Sequence, residues 1–345
     1  CNTTGCYNTA SGYYALKGNT TGCDNTAVGA CTLFVNVSGF SNIAIGSGAL
    51  KANTCGARNI AIGVSALQSN TTANNNTAVG QNSMMSNTTG TYNTSLGRNS
   101  LDANTTGCYH TALGYGALTS NTTGHKNTAV GVDAMECTTT GANNTAIGYI
   151  TLTKNTTGAC NVAVGRSALY CTTTGAHNTA SGTYSLKSNC TGSCNAAVGS
   201  YSLYSNTTAN VNTAIGACSL YANTTGAGIV AIGYRTLAGN TAGLYNTGAG
   251  FNALQNNTTG NRNTASGYRA LYANTSGNNN TASGYCALAA NTTGYSNTAF
   301  GSSSLCLNTT GCQNTAIGVV SLRKNTTGCR NTASGYYGLF ANTSG

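Results

Sequence analysis

A pentapeptide of the form Asn-Thr-Ala-x-Gly begins at Asn8 and returns at Asn25, Asn76, Asn127, Asn178, Asn280 and Asn331. With its variants it occurs twenty times, every 17 residues, without one insertion or deletion. So strict a period means a single supersecondary unit stacked on copies of itself, because one copy is too small to bury a core alone. Counted from the first Asn as column 1, the unit reads Asn-Thr-Ala-(Val/Ile/Ser)-Gly-x-x-(Ala/Ser)-Leu-x-x-Asn-Thr-Thr-Gly-x-x.

Constancy differs between columns. Column 5 is Gly in every copy, from Gly12 to Gly335. Column 9 is Leu except at Met84 and Met135, and column 3 is Ala except at Ser95 and Gly248. Column 15 is Gly except at Ala73 and Ala209, and column 12 is Asn except at Thr138 and Thr172. Columns 6, 7, 10, 11, 16 and 17 vary freely, and every charged residue and every tyrosine falls in them. Isolated charges are rarely buried, so these columns are expected to face solvent.

β-branched residues recur at columns 2 and 13, which favours extended backbone. Gly at columns 5 and 15 and Asn at columns 1 and 12 suit turns, including left-handed ones. No segment keeps the apolar spacing a helix needs for 10–12 residues. The expected fold is therefore all-β, a parallel β-solenoid (β-helix or β-roll) of about twenty rungs stacked at about 4.8 Å. Absence of Pro fits, because each rung must donate hydrogen bonds to its neighbour. Residues 1–345 read as one continuous repeat domain. The sequence starts in column 11 and stops in column 15, as expected of a segment from a longer fibre.

Alternation within the pentapeptide puts columns 2 and 4 on one face and columns 1, 3 and 5 on the other. Either set could be interior. The smallness of columns 3 and 5, and the tolerance of both Ser11 and Phe300 in column 4, favour columns 1, 3 and 5 inside. Columns 2 and 4 would then form an exposed apolar stripe, a surface for association.

Composition narrows the chemistry. There are 14 basic residues, 4 acidic residues and 3 His, for a net charge of +10. Four carboxylates leave little for acid–base catalysis or an oxygen-ligated metal, so an enzyme is not expected, nor a cofactor. No transmembrane segment is expected, since no apolar run approaches a membrane span. Basic residues are scattered, which argues against a specific nucleic-acid module. His110, His125 and His177 lie apart in different columns and read as surface or corner substitutions.

Cysteine is abundant, with 16 residues, which suggests an oxidising compartment. Cys6 and Cys23 share column 16 in adjacent rungs, as do Cys312 and Cys329; one rung separates Cα atoms by about 4.8 Å, within disulfide range. Column 12 carries N-x-Ser/Thr triplets, so Asn19, Asn70, Asn87, Asn104, Asn121, Asn155, Asn206, Asn223, Asn257, Asn291, Asn308 and Asn325 are candidate N-glycosylation sites. The competing reading makes them a structural Asn ladder with an incidental sequon. Tyr234, Phe251, Tyr268 and Tyr285 occupy column 6 in four consecutive rungs, an aromatic ladder suited to sugar rings or neighbouring rods, or simply to stiffening the surface.

The Thr-Ala-Ile-Gly element, as in 144–148 and 314–318, resembles short repeats in the heads of trimeric autotransporter adhesins. The fuller unit, as in 76–90, is similar to repeats of bacterial and phage tail-fibre proteins. The resemblance covers the whole chain and implies parallel β-rolls, often trimeric, in extracellular fibres that bind surfaces. The cysteines and the longer period depart from the adhesin heads.

Together these readings point to a structural component of an extracellular, cell-surface or virion-surface fibre. Its expected partners are copies of itself, end to end or laterally, with a trimer among the forms. A shaft that binds surface glycans is the second reading. An ice-binding solenoid, with columns 12–14 as its Thr array, is the third.

Overall fold

The computed structural model describes residues 2–345. It contains twenty three-residue strands, one per repeat, and is a parallel β-solenoid without helix among the described residues. The chain divides into two compact units, Cys1–Thr174 and Gly175–Gly345. In the first, β1 (Thr9–Ser11) pairs in parallel with β2 (Thr26–Val28), and so on to β10 (Val162–Val164) beside β9 (Thr145–Ile147). In the second, β11 (Thr179–Ser181) pairs with β12 (Ala196–Val198), and the series ends with β19 (Thr315–Ile317) beside β20 (Thr332–Ser334). Within each unit the register is one full repeat, so Ala146 meets Ala163 and Ile147 meets Val164.

Columns 1, 3, 8, 9, 12 and 15 turn inward. In one rung these are Asn25, Ala27, Thr32, Leu33, Asn36 and Gly39, all buried. Columns 2 and 4 face out, which settles the facing in favour of the small residues inside. Each inner rung therefore buries one large apolar side chain from column 9, contributing about 1.5–3 kcal/mol, and Ile229 adds a second in the rung of Leu237. Two buried asparagines supply much of the remaining interior.

Those asparagines form two ladders that meet on one carbonyl. In column 1, the backbone N–H and Nδ2 of Asn42 both donate to Asn25 Oδ1, each at 3.1 Å. In column 12, Asn53 Nδ2 donates to Asn36 Oδ1 at 2.9 Å. Both side chains also donate to the Gly56 carbonyl in column 15, at 2.9 and 3.0 Å. Buried amides satisfied this fully cost little, whereas one left unpaired would cost about 1–3 kcal/mol.

Backbone conformation departs from the sequence reading. Left-handed φ falls not on the Asn of columns 1 and 12 but on columns 7, 9 and 17. Every column 9 Leu or Met has φ between 45 and 54°. Such a residue carries roughly 1–2 kcal/mol of steric cost, comparable with the gain from burying the Leu side chain. Gly or Asn would adopt the turn more cheaply but would leave the core empty. Column 5 differs again, with φ from 102 to 147°, a region essentially restricted to glycine. A Cβ at Gly148 would also lie 2.7 Å from the Gly165 carbonyl oxygen. Column 15 has no positive φ and is limited by close approach alone, which is why Ala73 and Ala209 are admitted there.

Candidate functional surface

With the invariant columns inside, candidate functional groups lie on the outward ones. The strand face presents columns 2 and 4: Ile43 and Ile45 are each 39% exposed, and Ile317 is 48% exposed. Thr, Val and Ile alternate there with the Ser of rungs such as Thr264–Ser266. This is the apolar stripe the alternation argument anticipates.

Column 6 carries the aromatic ladder. Ring centroids are 5.2 Å apart for Tyr234–Phe251, 5.6 Å for Phe251–Tyr268 and 5.2 Å for Tyr268–Tyr285, with interplanar angles of 24°, 11° and 7°. Offset stacks at this spacing are favourable by about 0.5–1.5 kcal/mol per pair. Column 10 holds a shorter stack, Tyr204–Tyr221 at 5.2 Å and 5°. Tyr92 and Tyr109 make a third in column 17, at 5.3 Å and 1°; their shared column is the signal that would have found them.

The cysteine pairs are adjacent but unbonded. Cys6 and Cys23 sulfurs lie 3.2 Å apart, Cys312 and Cys329 sulfurs 2.8 Å apart, and all four are free thiols. Stacking thus delivers the proximity expected of these pairs without the disulfides. Environment separates the two. Hydrogen bonding to Cys23 raises the Cys6 thiol. Hydrogen bonds from Cys329 and Tyr295 lower the Cys312 thiol, while the same contact raises Cys329.

The candidate glycosylation sites are corrected by burial. Asn19, Asn70, Asn87, Asn104, Asn121, Asn155, Asn206, Asn223, Asn257, Asn291, Asn308 and Asn325 are all buried. Their Nδ2 atoms are committed to the ladder: Asn223, for example, donates to Asn206 Oδ1 at 3.0 Å and to the Gly226 carbonyl at 2.9 Å. A glycan would replace one of those hydrogens and has no room in the rung. The sequon is a by-product of an Asn-Thr-Thr corner. Column 13 belongs to the same corner, since Thr88 Oγ1 donates to the Thr105 carbonyl at 3.0 Å.

His110 stands in column 1 and is buried, which excludes the surface half of the surface-or-corner reading. It imitates Asn. Nε2 lies 2.7 Å from the Gly124 carbonyl, as a column 1 Nδ2 would, and Nδ1 accepts from the Asn127 N–H at 3.2 Å, as an Oδ1 would. Burial holds its pKa down to about 4, against a raising contribution from the Gly124 hydrogen bond.

A groove of about 490 Å³ opens between column 7 and column 10 in the second unit. It is lined by Ala238 and Gly239, and in the rungs either side of Ala238 the same column carries Tyr221 and Gln255. Tyr234 and Arg235 line the other side. Among the described residues, no three His, Cys, Asp or Glu side chains cluster to hold a metal ion, and no helix is long and apolar enough to cross a membrane.

No family model, no curated protein and no solved structure matches the chain.

Proposed function

We propose that the chain is a structural component of an extracellular fibre, a rigid repeat that displays variable side chains. One observation carries this reading: the near-constant columns 1, 3, 9, 12 and 15 are interior, with the two Asn columns hydrogen-bonded rung to rung, while every charged residue and tyrosine of the six freely varying columns lies toward solvent. The exposed strand stripe supplies a surface for lateral association with further copies. Electron microscopy of the purified protein tests it: filaments or bundles are expected, and Ile215→Glu with Ile232→Glu should disperse the bundles. A wild-type protein that stays monodisperse and unassociated at high concentration overturns the reading.

The second reading, a shaft that binds surface glycans, draws support from the stacked and exposed column 6 rings. Glycan-array binding that disappears on replacing Tyr234, Tyr268 and Tyr285 with Ala would establish it. The ice-binding reading has less support, because column 13 hydroxyls already donate to the next rung's carbonyls rather than standing free.

A further inference from the structure

The groove in the second unit has a shape and a charge that its surroundings make specific. Tyr204 covers one face of the Tyr221 ring, at 5.2 Å and 5°. The next residue in that column is Ala238, whose methyl group leaves the other face of Tyr221 bare. Gln255 follows two rungs on from Tyr221, so the slot between them is about 9.6 Å, twice the strand spacing. Two stacking distances accommodate one ring. Ala238 is therefore a missing member of an aromatic column, and the gap is the size of the ring that is missing.

Polar groups surround this gap unevenly. Arg235 is exposed at its margin. All four acids of the protein, Asp24, Asp102, Asp133 and Glu136, lie in the first unit, so Arg235 has no carboxylate within its own unit. Gln255 Oε1 is buried without a hydrogen-bond partner, and Asn256 adds a second amide to the same wall. The bare face of Tyr221, with Tyr201 and Tyr234 also lining the groove, a rim of amides and an uncompensated guanidinium suit a ring with an apolar face, a hydroxylated edge and an anionic substituent. A flat aromatic ligand would call for a second aromatic face, which the Gln255 side does not offer.

We propose that this groove binds a single hexuronic acid residue of an acidic polysaccharide, with the pyranose ring on Tyr221, its carboxylate on Arg235 and its hydroxyls on Gln255 and Asn256. This goes beyond the scaffold reading and would hold whether or not the chain forms fibres. It also differs from the column 6 ladder, which offers stacking without a slot. A guanidinium–carboxylate contact is charge-assisted and favours the bidentate geometry of Arg.

The probe is a galacturonate trisaccharide, compared with its neutral methyl ester by saturation-transfer NMR and titration. Wild type should bind the acid in the millimolar range or tighter, and the ester about tenfold more weakly. Arg235→Gln should bring acid and ester to the same affinity. Ala238→Tyr, which completes the column 10 stack at an outward position, should abolish both, with an unchanged melting temperature showing that the rung is intact. Arg323→Gln, which removes a positive charge elsewhere in the unit, should change neither. The proposal is overturned if wild type fails to bind the acid, if Ala238→Tyr binds as wild type does, or if Arg323→Gln weakens binding as much as Arg235→Gln. The last result would mean diffuse attraction of anions, nucleic acids included.

Discussion

Asn36 Nδ2 donates to Asn19 Oδ1 across one rung at 2.8 Å, and the same contact fails wherever column 12 changes residue. Thr138 has no amide, so Asn121 Oδ1 is left buried without a partner. On the other side Asn155 Nδ2 keeps its bond to the Gly158 carbonyl at 3.0 Å but meets Thr138 Oγ1 only at 3.5 Å. Thr138→Asn should therefore close the ladder and stabilise the first unit by about 1 kcal/mol. Urea denaturation checks it, and a loss of stability would contradict the ladder account.

Burial of column 12 makes a second prediction. Protein secreted from a host that glycosylates N-x-Ser/Thr should carry no glycan on the column 12 asparagines once folded. Glycopeptide mapping decides this. Asn223→Ala should also cost about 2–4 kcal/mol, because it leaves the buried Asn206 Oδ1 without its donor and takes the acceptor from Asn240 Nδ2.

Glycine substitutions should separate the two glycine columns. Gly148→Ala meets both an unfavourable φ of 138° and the Gly165 carbonyl, and should cost about 2–4 kcal/mol. Gly141→Ala has no unfavourable φ and meets only close neighbours, the Gly158 carbonyl oxygen at 2.5 Å and Asn155 Nδ2 at 2.9 Å. Since Ala73 and Ala209 occupy the equivalent position, its cost should be smaller. Thermal unfolding of the two variants gives the comparison.

His110 should make stability pH-dependent. Its folded pKa is about 4, below the ordinary 6.5 of the unfolded chain, so the unfolded state takes up the proton first. Stability from this group is present above about pH 6.5, declines as pH falls from there to about 4, and then levels off, with a total change of roughly 3 kcal/mol. His110→Asn should flatten that profile between pH 7 and 4. An unchanged profile would show that another group titrates.

Of the two cysteine pairs, Cys312–Cys329 should react first. Its hydrogen bonds favour a thiolate on Cys312, whereas the contact with Cys23 disfavours one on Cys6. Thiolate fraction governs both alkylation and exchange with an oxidised dithiol reagent. Timed iodoacetamide labelling with peptide mapping should find Cys312 modified ahead of Cys6. An oxidised dithiol should join Cys312 to Cys329 with loss of two hydrogens.

Much of this architecture is written in the repeat itself. The period, the parallel stacking in register and the inward turn of Ala27 and its equivalents follow from spacing and from side chains too small to vary. Column 6 stacking was equally legible, since residues 17 apart must lie one rung apart. Other features depend on backbone geometry that carries no residue signature. Leu33 adopts a left-handed φ because the chain must reverse there and only a large side chain fills the core; nothing about Leu announces it. The sequon at Asn223 is identical whether its amide faces solvent or a carbonyl, and the close packing of the corner decides for the carbonyl. His110 resembles a surface substitution until its two ring nitrogens are seen in the places of an Asn amide. The groove beside Tyr221 arises where Ala238 stands between Tyr221 and Gln255 in one column, and its other wall comes from column 7, which only the fold places beside it. Repetition in the sequence determined which residues are neighbours along the stack, because a fixed period fixes register. Which atoms of those neighbours face each other was decided by the tertiary structure, because that depends on turn geometry and on which polar groups are left to be satisfied.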